Sequence, residues 1–159
     1  MKLGLYAGAL VFSVVGFSTA SQGQAEGRVI LPADTVIQVT TDHEITSKHM
    51  HEGDVEQLQV ATDVAENGVV VIPRGAPIKA TVTFRTGKGI MGKSAKFEIT
   101  FTAVTVHGAE FALKGKHRQE GRGNTLGALL GSAIITGHSA VIQPGQVLTA
   151  FTAQPIPAS

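Results

Sequence analysis

The sequence predicts an all-β fold, a single barrel-like domain of about seven or eight mostly antiparallel strands, and three observations carry that expectation. Ile78-Lys79-Ala80-Thr81-Val82-Thr83-Phe84-Arg85 swaps apolar and polar residues with strict period two, the mark of a half-buried strand. A short unit of apolar pair, turn and strand recurs three times along the chain. The composition, 16% charged with 19 Gly and 6 Pro, is poor in helix-forming charged residues and rich in turn formers.

At 159 residues the chain is about one domain, which excludes a large multidomain enzyme. The absence of cysteine excludes a disulfide framework, a zinc–thiolate or iron–sulfur site, a cysteine nucleophile and an N-terminal lipidated cysteine.

Met1-Lys2 followed by the uncharged run Leu3 to Phe17 reads as a secretory signal peptide, because that run is short of the roughly 20 residues a membrane span needs. Two cleavage points fit the small-x-small rule, after Ser18-Thr19-Ala20 and after Gly23-Gln24-Ala25. The competing reading, an uncleaved anchor, lacks a basic stop-transfer flank. The expected organisation is a signal peptide over 1–25, a barrel-like domain over 26–154 and a disordered tail over 155–159. Export places the mature chain in the periplasm of a Gram-negative cell, free or associated with the outer membrane.

Strands are expected at 35–41, 55–64, 68–72, 78–85, 97–106 and 146–153, with another opening at Ala109 and carrying Phe111 and Leu113. The alternation of Phe97, Ile99 and Phe101 slips by one residue near Ala103-Val104, which predicts a β-bulge. His107-Gly108 is a turn signal. The repeated unit is Ile30-Leu31-Pro32-Ala33-Asp34-Thr35-Val36-Ile37-Gln38-Val39, which aligns without gaps on 71–80 and on 141–150. In each copy Pro fixes φ and Asp or Gly tolerates the left-handed region, so the unit turns a corner between strands.

Without Lys2, the only charged residue in 1–25, twelve bases face twelve acids. The neutrality hides blocks. Residues 26–66 hold nine acids against Arg28 and Lys48, residues 67–122 hold ten bases against Glu98, Glu110 and Glu120, and 123–159 hold no Asp, Glu, Lys or Arg. Opposite blocks either neutralise each other across paired strands or help protomers dock, and an uncharged end of that length fits contact with lipid or other subunits.

Gly87-Lys88-Gly89-Ile90-Met91-Gly92 matches G-x-G-x-x-G, yet it lies between two strands with no helical period after it, so it reads as a basic hairpin loop rather than a phosphate cradle. His43, His49 and His51, close to Glu44 and Glu52, form a candidate metal-ligand set, with His49-x-His51 on one face if the segment is a strand. The alternative is a solvated polar segment. No serine stands in a nucleophile elbow, and Asp42 with Glu44, or Asp54 with Glu56, has the spacing of a solvated strand face as much as of paired catalytic acids. The expectation is no enzyme and no cofactor. The basic block lacks exposed aromatic residues interleaved with its charges, which argues against nucleic acid.

The most specific feature is the segment from Gly123 to Gly137. Gly123, Gly127 and Gly131 recur every four residues, one row of a helix, with Leu126, Leu129, Leu130, Ile134 and Ile135 over the rest. Such a small-xxx-small row, a glycine zipper, lets helices approach backbone to backbone. The competing reading is a flexible apolar crossover on the barrel.

The order of features from Ile30 to Gln154 resembles the C-terminal β-barrel domain of the TrbI-like scaffold subunits of type IV secretion and conjugation systems. The matching pieces are Leu31-Pro32-Ala33-Asp34-Thr35-Val36-Ile37; Thr46-Ser47-Lys48 before Gly53-Asp54-Val55; Val60-Ala61-Thr62-Asp63-Val64 with Val70-Val71-Ile72-Pro73-Arg74-Gly75; and Gly121-Arg122-Gly123 through Ile135, then Gly145 to Phe151. The resemblance implies a ring-forming scaffold of the outer-membrane core, with no catalytic residues and with an antenna segment that reaches into the outer membrane. By position, Gly123, Gly127, Gly131, Leu126, Leu129, Leu130 and Ile134 would carry that contact. The chain departs from the family in its signal-like start, where the family has a cytoplasmic tail, an inner-membrane helix and a Pro-rich stalk, and in a shorter antenna. The partners expected are envelope proteins or further copies of the chain. The alternative function is a soluble periplasmic metal- or small-ligand-binding barrel resting on His43, His49 and His51.

Overall fold

A computed structural model describes residues 28–89, 93–121 and 138–158, and among them the chain is all β. The strands are β1 (Ile30–Leu31), β2 (Val36–Thr40), β3 (Ile45–Thr46), β4 (Val55–Val60), β5 (Val64–Glu66), β6 (Val69–Ile72), β7 (Pro77–Thr86), β8 (Lys96–Val106), β9 (Ala109–Lys114), β10 (Lys116–Glu120), β11 (Val141–Ile142), β12 (Leu148–Thr152) and β13 (Ile156–Pro157). Seven of them form one sheet in the order β10-β8-β7-β4-β2-β12-β9, and a further β8–β9 pairing closes β8, β7, β4, β2, β12 and β9 into a ring. Every pairing is antiparallel, and closure leaves none of these six strands at an open edge, while β10 pairs with β8 alone. The expected barrel is therefore present. Three two-stranded ribbons, β1–β13, β3–β11 and β5–β6, cover its ends. Alternate residues fill the interior: Ile37, Val39, Ile78, Ala80, Phe97, Ile99 and Phe101 are all fully buried.

The repeated unit is the device that builds this ring. In its three copies the residues before the turn, Leu31, Ile72 and Ile142, are buried, as are Ile37, Ile78 and Leu148, and then Val39, Ala80 and Ala150. The turn residues Asp34, Gly75 and Gly145 have φ of 65°, 82° and 79°, the left-handed value that a type II turn requires at its third position. Each donates its N–H at 2.9 Å to a carbonyl at the end of a neighbouring strand or one residue past it: Asp34 to Thr152 O, Gly75 to Val60 O and Gly145 to Thr41 O.

A fourth copy, His51-Glu52-Gly53-Asp54 leading into β4, contains no proline. Gly53 has φ of 95° and donates to Val82 O at 2.8 Å, so the same geometry recurs. The four corners form two reciprocal pairs. The corner of β2 docks on the end of β12 and that of β12 on the residue just past β2, while the β7 corner docks on the end of β4 and the β4 corner on Val82 within β7. The hairpins Asn67-Gly68 and His107-Gly108 have both central φ values positive, as two-residue type I′ turns demand.

Two irregularities shape the β7–β8 pair. The expected bulge is present, with Thr102 the extra residue between the pairs Ala80↔Phe101 and Lys79↔Ala103, and Thr102 Oγ1 donates to Lys79 O at 3.0 Å. The second was not expected: Thr83 is extra between Val82↔Ile99 and Phe84↔Glu98. It reverses the faces that strict alternation assigns, so Phe84 stands opposite outward Glu98 and Arg85 opposite buried Phe97. The expected strand over 55–64 also breaks, because the chain bends at Ala61-Thr62 to leave β4 and start the β5–β6 hairpin.

Candidate functional site

The register gives the barrel two unlike ends. At one, β1–β13, the β5–β6 hairpin, the corners of β2 and β7 and the His107-Gly108 turn gather. At the other lie the corners of β4 and β12, the β3–β11 ribbon and the connection from Thr86 to Lys96. Here, too, the chain leaves the described fold at Gly121 and returns at His138.

This second end is a stitched neck. Ala95 accepts from Gly121 N–H at 2.9 Å and donates its own N–H to His138 O at 3.0 Å, so one residue joins both ends of the excursion. A Cβ on Gly121 would sit 2.3 Å from His138 O, so only glycine fits there. Ser47 N–H donates to Ala140 O at 3.0 Å, and Ala140 N–H donates to Ser47 Oγ at 3.1 Å. Gly123, Leu126, Gly127, Leu129, Leu130, Gly131 and Ile134 lie outside the described residues, but the points from which their segment leaves and returns are fixed side by side.

The Thr83 bulge brings Arg85 into this neck. Its Nε donates to Ser47 O at 3.0 Å and its backbone N–H to Glu52 Oε1 at 3.1 Å. Ser47, Lys48, Arg85, Gly87, Lys88, Ala95 and Ser139 line a cavity of about 240 Å³ there. Strict alternation hid Arg85 from the sequence reading, since nothing within Ile78 to Arg85 signals a bulge. A second cavity, about 330 Å³ and mostly apolar, lies at the other end among Arg28, Val106, His107, Phe111, Pro157 and Ala158, drawn from three distant segments.

The three candidate metal ligands stand in turns. His43 Nδ1 is 2.8 Å from Asp42 Oδ1 and 3.3 Å from Thr41 Oγ1, and this imidazole holds the Asp42 carboxyl below its ordinary value. His49 is exposed in the turn Ser47–His49, and His51, also exposed, opens the corner of β4 with its Nδ1 3.5 Å from Asp54 Oδ2. The expected strand face shared by His49 and His51 is thus replaced by two turns. Among the described residues no group of three or more His, Cys, Asp or Glu side chains gathers in a metal-binding arrangement. The G-x-G-x-x-G stretch begins in the β7–β8 connection, where Gly89 N–H donates to Lys93 O at 2.8 Å.

Among the described residues the Lys and Arg ion pairs are Lys79–Glu110, Lys96–Glu120, Lys114–Asp34, Lys116–Glu98 and Arg118–Glu120. Only Lys114–Asp34 joins the acidic block to the basic one, so neutralisation between paired strands does not account for the acidic half. Lys116 holds the Glu98 carboxyl, and Lys96 the Glu120 carboxyl, below the ordinary glutamate range. Arg118 also lies over the outward Phe84 ring, 5.3 Å from its centroid.

No family model matches this chain, and no curated protein matches it.

Proposed function

We propose that the chain is a non-enzymatic, exported module of the cell envelope: a scaffold whose barrel presents the glycine-rich segment 122–137, charge-free from Gly123 on, for assembly, in the manner that the resemblance to TrbI-like barrels implies. The observation that supports this reading is the neck. A ring of antiparallel strands gives a stiff base, and Gly121, Ala95 and His138 hold the feet of a sixteen-residue excursion at one point. Anchoring both feet lowers the entropy lost when the excursion docks on another copy or on a membrane surface. The segment carries Arg122 at its first foot and no other charge.

Envelope fractionation with alkaline carbonate extraction tests the reading, comparing wild type with Gly127→Asp/Gly131→Asp. Wild type is expected to stay with the outer membrane or in a high-mass assembly, and the double variant to be released as free barrel. Equal release of both proteins into the periplasmic fraction would sink the scaffold reading and leave a soluble binding barrel in its place.

A further inference from the structure

We infer that the cavity at the neck is an oxyanion site that takes a phosphate group. The proposal stands apart from the scaffold reading, since it concerns side chains of the barrel itself.

The Thr83 bulge reverses the face of Arg85, and exposed Lys48 and Lys88 line the same cavity, so three basic residues from β7, the β3 turn and the β7–β8 connection share one cavity. Basic residues gathered around one cavity create a positive potential that favours an anion in it. Among the described residues no carboxylate forms an ion pair with Lys48, Arg85 or Lys88. The segments adjoining the neck, 90–92 and 122–137, contain no Asp or Glu, so they bring none either. Glu52 brings one carboxylate to this region, its Oε1 accepting from the Arg85 backbone N–H, so one negative charge stands against three positive ones.

The remaining groups suit phosphate. Ser47 is only 2% exposed, and its Oγ already accepts from Ala140 N–H, which leaves its hydroxyl proton to be donated. Ser139 contributes a second hydroxyl, and Gly87 lets the backbone come close to a bound group. Arg85 is positioned by its Nε bond to Ser47 O, which aims a planar donor set suited to a tetrahedral oxyanion. Because the cavity sits at the foot of the charge-free segment, the phosphate can be that of a lipid headgroup or a free anion, and the chemistry of recognition is the same.

The test uses the full chain, with Lys48→Ala/Lys88→Ala as the main variant, since neither ammonium makes an ion pair among the described residues. Arg85→Gln is a second variant, and Lys79→Ala/Lys116→Ala removes the same charge from distant strands as a control. Two probes are applied: inorganic phosphate, followed by amide shifts in NMR, and phosphatidylcholine vesicles with and without phosphatidylglycerol. A free-anion site is expected to shift the amides of Ser47, Lys48, Gly87 and Lys88 on adding phosphate. A headgroup site shows binding only to the phosphatidylglycerol vesicles, with phosphate competing. In either case Lys48→Ala/Lys88→Ala weakens binding about tenfold or more, the control binds like wild type, and added salt weakens both. Absence of binding to both probes, or an equal loss in the control, overturns the proposal.

Discussion

The two reciprocal corner pairs of the barrel perform the same task with different residues. In the β2/β12 pair both corners carry proline, Pro32 and Pro144, and both strands put a large aliphatic side chain, Ile37 or Leu148, three residues beyond the turn. In the β4/β7 pair only the β7 corner has proline, and the β4 corner has Glu56 where its counterparts have Ile37, Ile78 and Leu148. Glu56 stands opposite buried Ala80 and is itself half-buried. What the four corners share is a residue with positive φ whose N–H donates to a backbone carbonyl of a neighbouring strand or of the residue that follows it. Proline stiffens a corner, whereas the left-handed residue makes it.

The largest break in this comparison comes from the shared apolar position. Ile37→Ala and Ile78→Ala are each expected to cost about 2–5 kcal/mol, as buried aliphatic truncations do, while Glu56→Ala at the equivalent place changes stability by about 0.5 kcal/mol or less. Urea unfolding of the three variants checks it. An equal loss at Glu56 would mean that β4 is not a fourth copy.

The turn residues come next. Gly53→Ala and Gly75→Ala force a Cβ into left-handed backbone with open space around it, so the cost is conformational, about 1–2 kcal/mol, and the same at both corners. A clear cost at Gly75 with none at Gly53 would show that the corner without proline tolerates another turn. In the opposite direction, Glu56→Leu restores the pattern of the other three copies and is expected to raise stability by about 1 kcal/mol.

The same comparison marks how far the sequence could be read. Three corners are legible because Pro, Asp and Gly near the turn are its chemical signatures, and the buried positions of β7 as far as Val82 follow from alternation. The fourth was hidden because His51-Glu52-Gly53-Asp54 has one glycine and no proline, and Glu56 breaks its apolar phase. At the neck, Gly121 was noticed only as part of a glycine-rich run, since its requirement comes from His138 O, which is distant in sequence. Arg85 was assigned to the outer face because Thr83 looks like any other residue of an alternating strand, and only the partner strand shows that it is extra. The bulge near Ala103 was visible because there the apolar phase itself slips.

The smallest expected effect separates the corners from the β8–β10 wall. The corners are closed by backbone hydrogen bonds, which do not titrate, whereas β10 is held to β8 partly by Lys116–Glu98 and Lys96–Glu120, each at 3.1 Å and open to solvent on the lysine side. Lys116 for Glu98, and Lys96 for Glu120, lowers the folded-state value below the 4.5 of a free glutamate. A lowered carboxyl stabilises the fold fully above that value, and the contribution disappears as pH falls through the folded-state value. Amide exchange over 116–120, corrected for the intrinsic pH dependence, is therefore expected to lose protection on acidification before that over 36–40 or 148–152. Because the pairs are exposed, the shift is small and salt reduces it. Glu98→Gln/Glu120→Gln should flatten the acid response of β10 without touching the corners. Simultaneous loss of protection in all three strands would mean that acid acts on the barrel as one cooperative unit, with these pairs contributing nothing local.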